Sequence, residues 1–157
     1  MDYRYFKLIH VFAVVIFLGN IITGLFWMRI AVKTKNVQII RHTINGIIGS
    51  DRYFTIPGVI IITAGGIMAA IHEHFPILRT GWILWSIILF MISGLAFSIK
   101  VAPLQKRIKR LLLNSESLTD PEWVKFLKMY TSWDIWGVIA LITPLVAFVM
   151  MTLKMPR

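Results

Sequence analysis

Four histidines, eight methionines and no cysteine bound the chemistry open to this 157-residue chain. Without thiols there is no disulfide, no thiolate metal site and no CxxC redox couple. No Ser/His/Asp nucleophile set, carboxylate pair at a cleft or phosphate-binding glycine loop can be read either, which disfavours a hydrolase or a kinase. Imidazole and thioether remain. His10 stands inside one apolar run and His72 ends another. Two neutral imidazoles at one depth could clamp the iron of a haem b from both sides. Arg4, Lys7 and Arg79 would then be placed to pair with its propionates. Met68 and His72, spaced i, i+4, share a helix face. Together with His10 they make a His/Met set that suits copper, Cu(I) above all. Each feature also has a plainer reading. A histidine in a span can bond a neighbouring helix or a headgroup, and methionine is a common apolar filler.

The elements that must position these residues are membrane spans. Apolar residues make up 57% of the chain and charged ones only 15%, against roughly 45–50% apolar in soluble domains. Mean hydropathy is +0.75. Four runs, 8–28, 54–72, 82–101 and 135–153, approach the roughly 20 apolar residues that cross a bilayer as a helix. The first follows a short basic segment (residues 1–7) but is too long for a signal core of about 7–15 residues, so it reads as a retained span. The fold expected is an all-α membrane protein: one four-transmembrane-helix bundle, with short amphipathic helices in the cytoplasmic loops and little soluble mass.

Charge gives the bundle a direction. Twelve of the 17 lysines and arginines lie between spans one and two or between spans three and four. The positive-inside rule puts those loops in the cytoplasm, and both termini outside an inner (cytoplasmic) membrane. His10 and His72 then belong to the outer face. Since topology explains the basic residues, nucleic acid is not expected as a partner. The bilayer is, with a homodimer or a membrane redox partner as further candidates. The function expected is b-type haem binding or electron transfer near the outer face, the alternatives being copper binding or transport through the outer His/Met residues and a non-catalytic membrane subunit.

Local signals add detail. Asn36 can cap a helix whose Val37, Ile40, Ile44, Ile47 and Ile48 share a face, and 104–114 mixes aliphatic with basic residues. Thr119-Asp120-Pro121-Glu122 reads as a capping box. Both amphipathic stretches are expected on the inner leaflet. Trp27, Trp133 and Trp136 would line the inner boundary, Trp82 and Trp85 the outer. Gly19, Gly24, Gly65, Gly66, Ser93, Gly94 and Ser98 permit close helix approach, and Asn20 and Thr23 could bond across that seam. Pro144 predicts a kink in span four. Asp134 is expected to pair with Arg52 or Lys100.

The segments Lys7-Leu8-Ile9-His10, Phe17-Leu18-Gly19, Asp51-Arg52-Tyr53-Phe54-Thr55-Ile56-Pro57-Gly58, Gly81-Trp82-Ile83-Leu84-Trp85 and Val101-Ala102-Pro103-Leu104-Gln105-Lys106-Arg107 resemble the integral membrane family called domain of unknown function 2269, over nearly the whole chain. In layout the chain is also similar to copper-resistance D proteins and to HemJ-type protoporphyrinogen oxidases. The HemJ resemblance implies a haem-linked membrane oxidoreductase with a first-span histidine, here His10. Where those proteins carry a lysine near the start of the third span, this chain reads Arg79-Thr80-Gly81-Trp82.

Overall fold

The computed structural model describes residues 3–74, 76–77, 79–113 and 115–156. Met1 of the N-terminal basic segment, Asn114 of the second amphipathic stretch and Arg157 among the outer charges lie outside them. The described residues build helices α1 (Tyr3–Lys33), α2 (Val37–Ser50), α3 (Ile56–His72), α4 (Gly81–Ala96), α5 (Ala102–Leu112) and α6 (Asp120–Leu153). Two π-helical segments, Asp51–Thr55 and Phe97–Val101, join α2 to α3 and α4 to α5 without a break. The result is four long rods, each apolar and long enough to cross a membrane.

The rods are longer than the membrane. At 30 to 36 residues each, they measure about 45–54 Å at roughly 1.5 Å per residue, against a hydrocarbon layer of about 30 Å. The excess lies at the end carrying the α1–α2 and α5–α6 connections. Arg29, Arg41, Arg52, Lys100 and Lys106 fall within the helices there, whereas Glu73, Arg79 and Lys154 fall just beyond helix ends at the terminal side. The amphipathic stretches are present, but they continue the spans instead of lying flat on a leaflet. Their apolar stripes pack on one another: Met28, Ile40, Ile44, Ile108, Leu112 and Phe126 are essentially sealed from solvent. The chain therefore carries more extramembrane mass than its hydropathy suggests.

Local chemistry starts and stops the rods as expected. Asn36 caps α2 by accepting from the N–H groups of Gln38 and Ile39. The Glu122 carboxylate accepts from the Thr119 N–H at 2.9 Å at the start of α6. α6 runs as helix through Pro144, which is buried.

In the terminal half α1 packs on α3 and α4 packs on α6, while α3 and α4 make no close backbone approach. Lipid supplies no hydrophobic drive between helices, so small residues and hydrogen bonds must hold these pairs. A Cβ on Gly65 would lie 3.2 Å from His10 Cβ and 3.5 Å from its Cα. One on Gly137 would lie 2.7 Å from Leu25 Cδ2. Ser93 donates to the Ala140 carbonyl at 2.6 Å, tying α4 to α6. A Cβ added to Gly19 or Gly94 would meet nothing within 4 Å, so neither serves a seam inside one chain. Gly58 and Gly137, which their spacing does not single out, do.

These contacts separate two kinds of glycine. Gly65→Val should lose about 1–3 kcal/mol to overpacking against the α1 backbone, and Gly94→Val should cost less than half of that. Unfolding titrations of both variants in mixed micelles check this. Equal losses would mean that the α1/α3 seam is not the tight one.

Candidate functional site

The heptad-like stripe of α2 leads to the site. Buried positions run Val37, Ile40, Ile44, Ile47, then Asp51 and Thr55 across the π segment, then Gly58, Ile62 and Gly65. Two successive steps of four at Ile47–Asp51–Thr55 mark the extra residue that a π turn takes up. The third rod passes through Ala96, Val101 and Gln105, steps of five and four across its own π segment. The two rods therefore aim Asp51, Thr55 and Gln105 into the bundle at one level.

There the Asp51 carboxylate is buried, 8% exposed. Its Oδ1 accepts from Thr55 Oγ1 at 2.7 Å and from Asn20 Nδ2 at 3.1 Å. Its Oδ2 accepts from Gln105 Nε2 at 2.8 Å. Asn20 Nδ2 also reaches Thr55 Oγ1 at 2.9 Å. All these partners are neutral. No described lysine or arginine forms an ion pair with Asp51, and Arg52 beside it is exposed.

A cavity of about 30 Å³ adjoins the cluster, lined by Asn20, Asp51 and Gln105 together with Phe97, Trp133 and Gly137. By the rule that a water needs roughly 10–15 Å³, it has room for one or two. Trp133 is 2% exposed and its Nε1 has no hydrogen-bond partner among the described residues. An indole N–H only donates, so any partner it takes must accept. Trp133 thus belongs to the interior and not to an interfacial belt; it falls on the buried stripe of α6 with Phe126, Gly137 and Ala140. Trp27 and Trp85 are exposed, as belt residues are.

Asp134 pairs with Arg29, not with Arg52 or Lys100. The two bonds, 2.8 and 3.0 Å, are bidentate. Lys100 lies instead over the Trp136 ring, 5.6 Å from its centroid. Asn20 bonds across a seam as expected, whereas Thr23 is exposed.

The histidines sit apart from this cluster. His10 packs in the α1/α3 seam against Gly65 and Gly66, with Nδ1 2.8 Å from the Ile62 carbonyl. A carbonyl only accepts, so Nδ1 holds the proton and the neutral ring keeps its lone pair on Nε2. His72 lies seven residues beyond Gly65, about 10 Å further along the helix, beside Phe6 at 6.4 Å between ring centroids. The two imidazoles are not at one depth. Met68 is 48% exposed on α3. Arg4, Lys7 and Arg79 are exposed at the same terminal end. Among the described residues no group of three or more His, Asp or Glu side chains is gathered for a metal ion.

A family model described as "Predicted integral membrane protein (DUF2269)" matches residues 4–155. The chain belongs to that family. No curated protein and no solved structure matches it. The motif segments of the DUF2269 resemblance contain Asp51, Thr55 and Gln105, three members of the buried cluster.

Sequence reasoning missed Asp51 because it sits beside Arg52 at the edge of a hydropathy run. Its place on the Ile40–Ile44–Ile47 stripe is the signal that would have found it. Gln105→Leu should cost about 1–3 kcal/mol by stranding a buried acceptor, and much less in an Asp51→Leu background. A double-mutant cycle in micelles measures that coupling; additive losses would show that the 2.8 Å bond carries no energy.

Proposed function

We propose that this integral membrane protein is a proton-linked membrane component, in which Asp51 takes up and releases a proton at the loop-side mouth of the bundle. One observation carries the reading: a buried carboxylate whose partners are all neutral donors. A buried carboxylate with no charged partner is costly, and such groups cluster at functional sites. With no cation to neutralise it, a single proton changes the charge of the whole cluster. Thr55 supports proton movement, since its hydroxyl donates to Asp51 while accepting from Asn20. By the positive-inside rule this mouth opens to the cytoplasm, with the termini on the outer side of an inner membrane.

His10 and Asn20 share the interior stripe of α1, and between their levels lie Ala13, Phe17, Leu18 and Ile62, a buried apolar cluster. The interior stripe of α1 therefore links a titratable group in each half, His10 and, through Asn20, Asp51, with an apolar plug between them. A proton passes from one to the other only if that plug opens.

Infrared difference spectra across a pH titration in lipid nanodiscs test the reading. A protonated-carboxyl stretch should grow as pH falls, vanish in Asp51→Asn and persist in Asp134→Asn. A carboxyl band indifferent to Asp51→Asn, or one that does not change with pH, would sink it.

A second reading rests on His10. A ligating histidine characteristically donates its other ring N–H to a backbone carbonyl, and His10 stands in that state towards Ile62. Nε2 could ligate a haem b, with Arg4, Lys7 and Arg79 near enough to one membrane face to meet propionates. His72 lies about 10 Å further along α3, so a second axial ligand would come from another group of the chain or from a second copy. The visible spectrum of the purified protein, with and without dithionite, decides. A Soret band lost in His10→Ala supports haem, and a colourless protein removes it. Copper on His10, Met68 and His72 has no comparable geometric support.

A further inference from the structure

Beyond the buried cluster, the extramembrane ends of α5 and α6 enclose a cleft of about 490 Å³ lined by Arg107, Arg110, Lys125 and Lys128, with Leu111 and Met129. Arg107 and Arg110 are spaced i, i+3 on one helix, and so are Lys125 and Lys128 on the other. Like charges at that spacing repel, and converging the two pairs on one cleft adds to the repulsion. None of the four side chains makes a hydrogen bond or ion pair with another described residue. Of the nearby acids, Glu122 accepts from Thr119 and also feels the charge of Lys125, and Asp120 is exposed at the first turn of α6. Positive-inside topology asks only for charge on this side of the membrane. It does not ask that four cations face one opening with a single acid near one of them.

Depth narrows the ligand. Arg107 and Arg110 lie seven and ten residues beyond Lys100, about 10–15 Å along the helix. Lys128 and Lys125 lie six and nine residues before Asp134, about 9–13 Å. Headgroups extend only about 5–8 Å beyond the hydrocarbon on each side. The cleft thus stands at or above the top of the headgroup layer, facing water. Arginine forks favour phosphate bidentately, lysine supplies point charge, and Leu111 and Met129 offer an apolar floor.

We propose that this cleft binds a phosphoryl-bearing anion with at least two charges, entering from the aqueous side. The source can be a soluble diphosphate or a lipid whose phosphorylated headgroup reaches above its neighbours, and the experiment separates the two. Inorganic pyrophosphate is titrated into the protein in zwitterionic nanodiscs at low salt. In parallel, native mass spectrometry counts anionic lipid retained from mixed nanodiscs containing a phosphorylated-headgroup lipid.

The wild type should bind pyrophosphate, with affinity falling steeply as salt rises. Arg110→Gln/Lys128→Gln should weaken it by about tenfold or more, the scale of one charge-assisted hydrogen bond. The control Lys33→Gln/Lys35→Gln removes the same charge from the same end, outside the cleft, and should leave binding within about twofold by that scale. Lipid retention showing the same variant pattern, without pyrophosphate binding, assigns the site to a lipid headgroup and keeps the proposal. Binding in neither arm, or equal loss in cleft and control variants, overturns it. Unchanged micellar unfolding midpoints confirm that both double variants fold.

Discussion

The carboxylate of Asp51 imposes the demand that the rest of the bundle meets. Burying a carboxylate costs several kcal/mol unless hydrogen-bond donors replace the water it loses. Those donors come from three places in the chain: Asn20 on α1, Thr55 one turn onward, and Gln105 on α5. Short amide side chains have little reach, so the Asn20 and Gln105 bonds to Asp51, 3.1 and 2.8 Å, fix the registers of α1 and of the third rod against the second. The two π segments follow from the same demand. An unbroken α-helix would carry the aliphatic stripe of α2 past the position at which Asp51 and Thr55 both face inward.

On either side of this level the helices are held by different forces. In the extramembrane half water is the solvent, so a sealed core of Met28, Ile40, Ile44, Ile108, Leu112 and Phe126 drives association. In the membrane half that drive is absent. There the helices meet in pairs through Gly65 against His10 and Ser93 on the Ala140 carbonyl, while α3 and α4 stay apart. A base closed by the hydrophobic effect thus carries two helix pairs, joined across their seam by Phe90 and Leu141 packed on Ala13, Phe17, Leu18 and Ile62.

Much of the fold was legible. Four apolar runs gave four rods, and Asn36 and Thr119 marked helix starts through bonds that side-chain chemistry alone dictates. The continuity of spans and amphipathic stretches was not legible from hydropathy. Arg52 and Lys100 interrupt the apolar runs although the backbone does not stop there, because a hydropathy window averages over faces and a helix buries only one. The site was hidden for the same reason. Asp51 falls outside the apolar run beside Arg52, and Trp133 reads as a belt residue with Trp136, yet each lies on the inward stripe of its helix while its neighbour is more exposed. The relative depth of the two histidines was set by register. Both residues belong to the terminal half, but the glycines that let α1 approach α3 place His10 level with Gly65, two turns short of His72.

The chain offers two carboxylates near the mouth of the bundle, and the contrast between them locates the chemistry. Asp134 meets Arg29 through two bonds, with the arginine side chain 49% and the aspartate 23% exposed. Protonating it would sacrifice a bidentate charge pair while relieving little burial. Asp51 has no opposing charge, so protonation removes a buried anion and sacrifices only part of three neutral hydrogen bonds. The same proton has a smaller cost at Asp51 and larger consequences, because the bonds it weakens join three of the four rods. A charge change at Asp134 stays local, whereas one at Asp51 reaches the α1, α3 and α5 registers together and, through Gln105 and the cavity, the indole of Trp133. That asymmetry makes Asp51 the residue at which chemistry and conformation can be coupled.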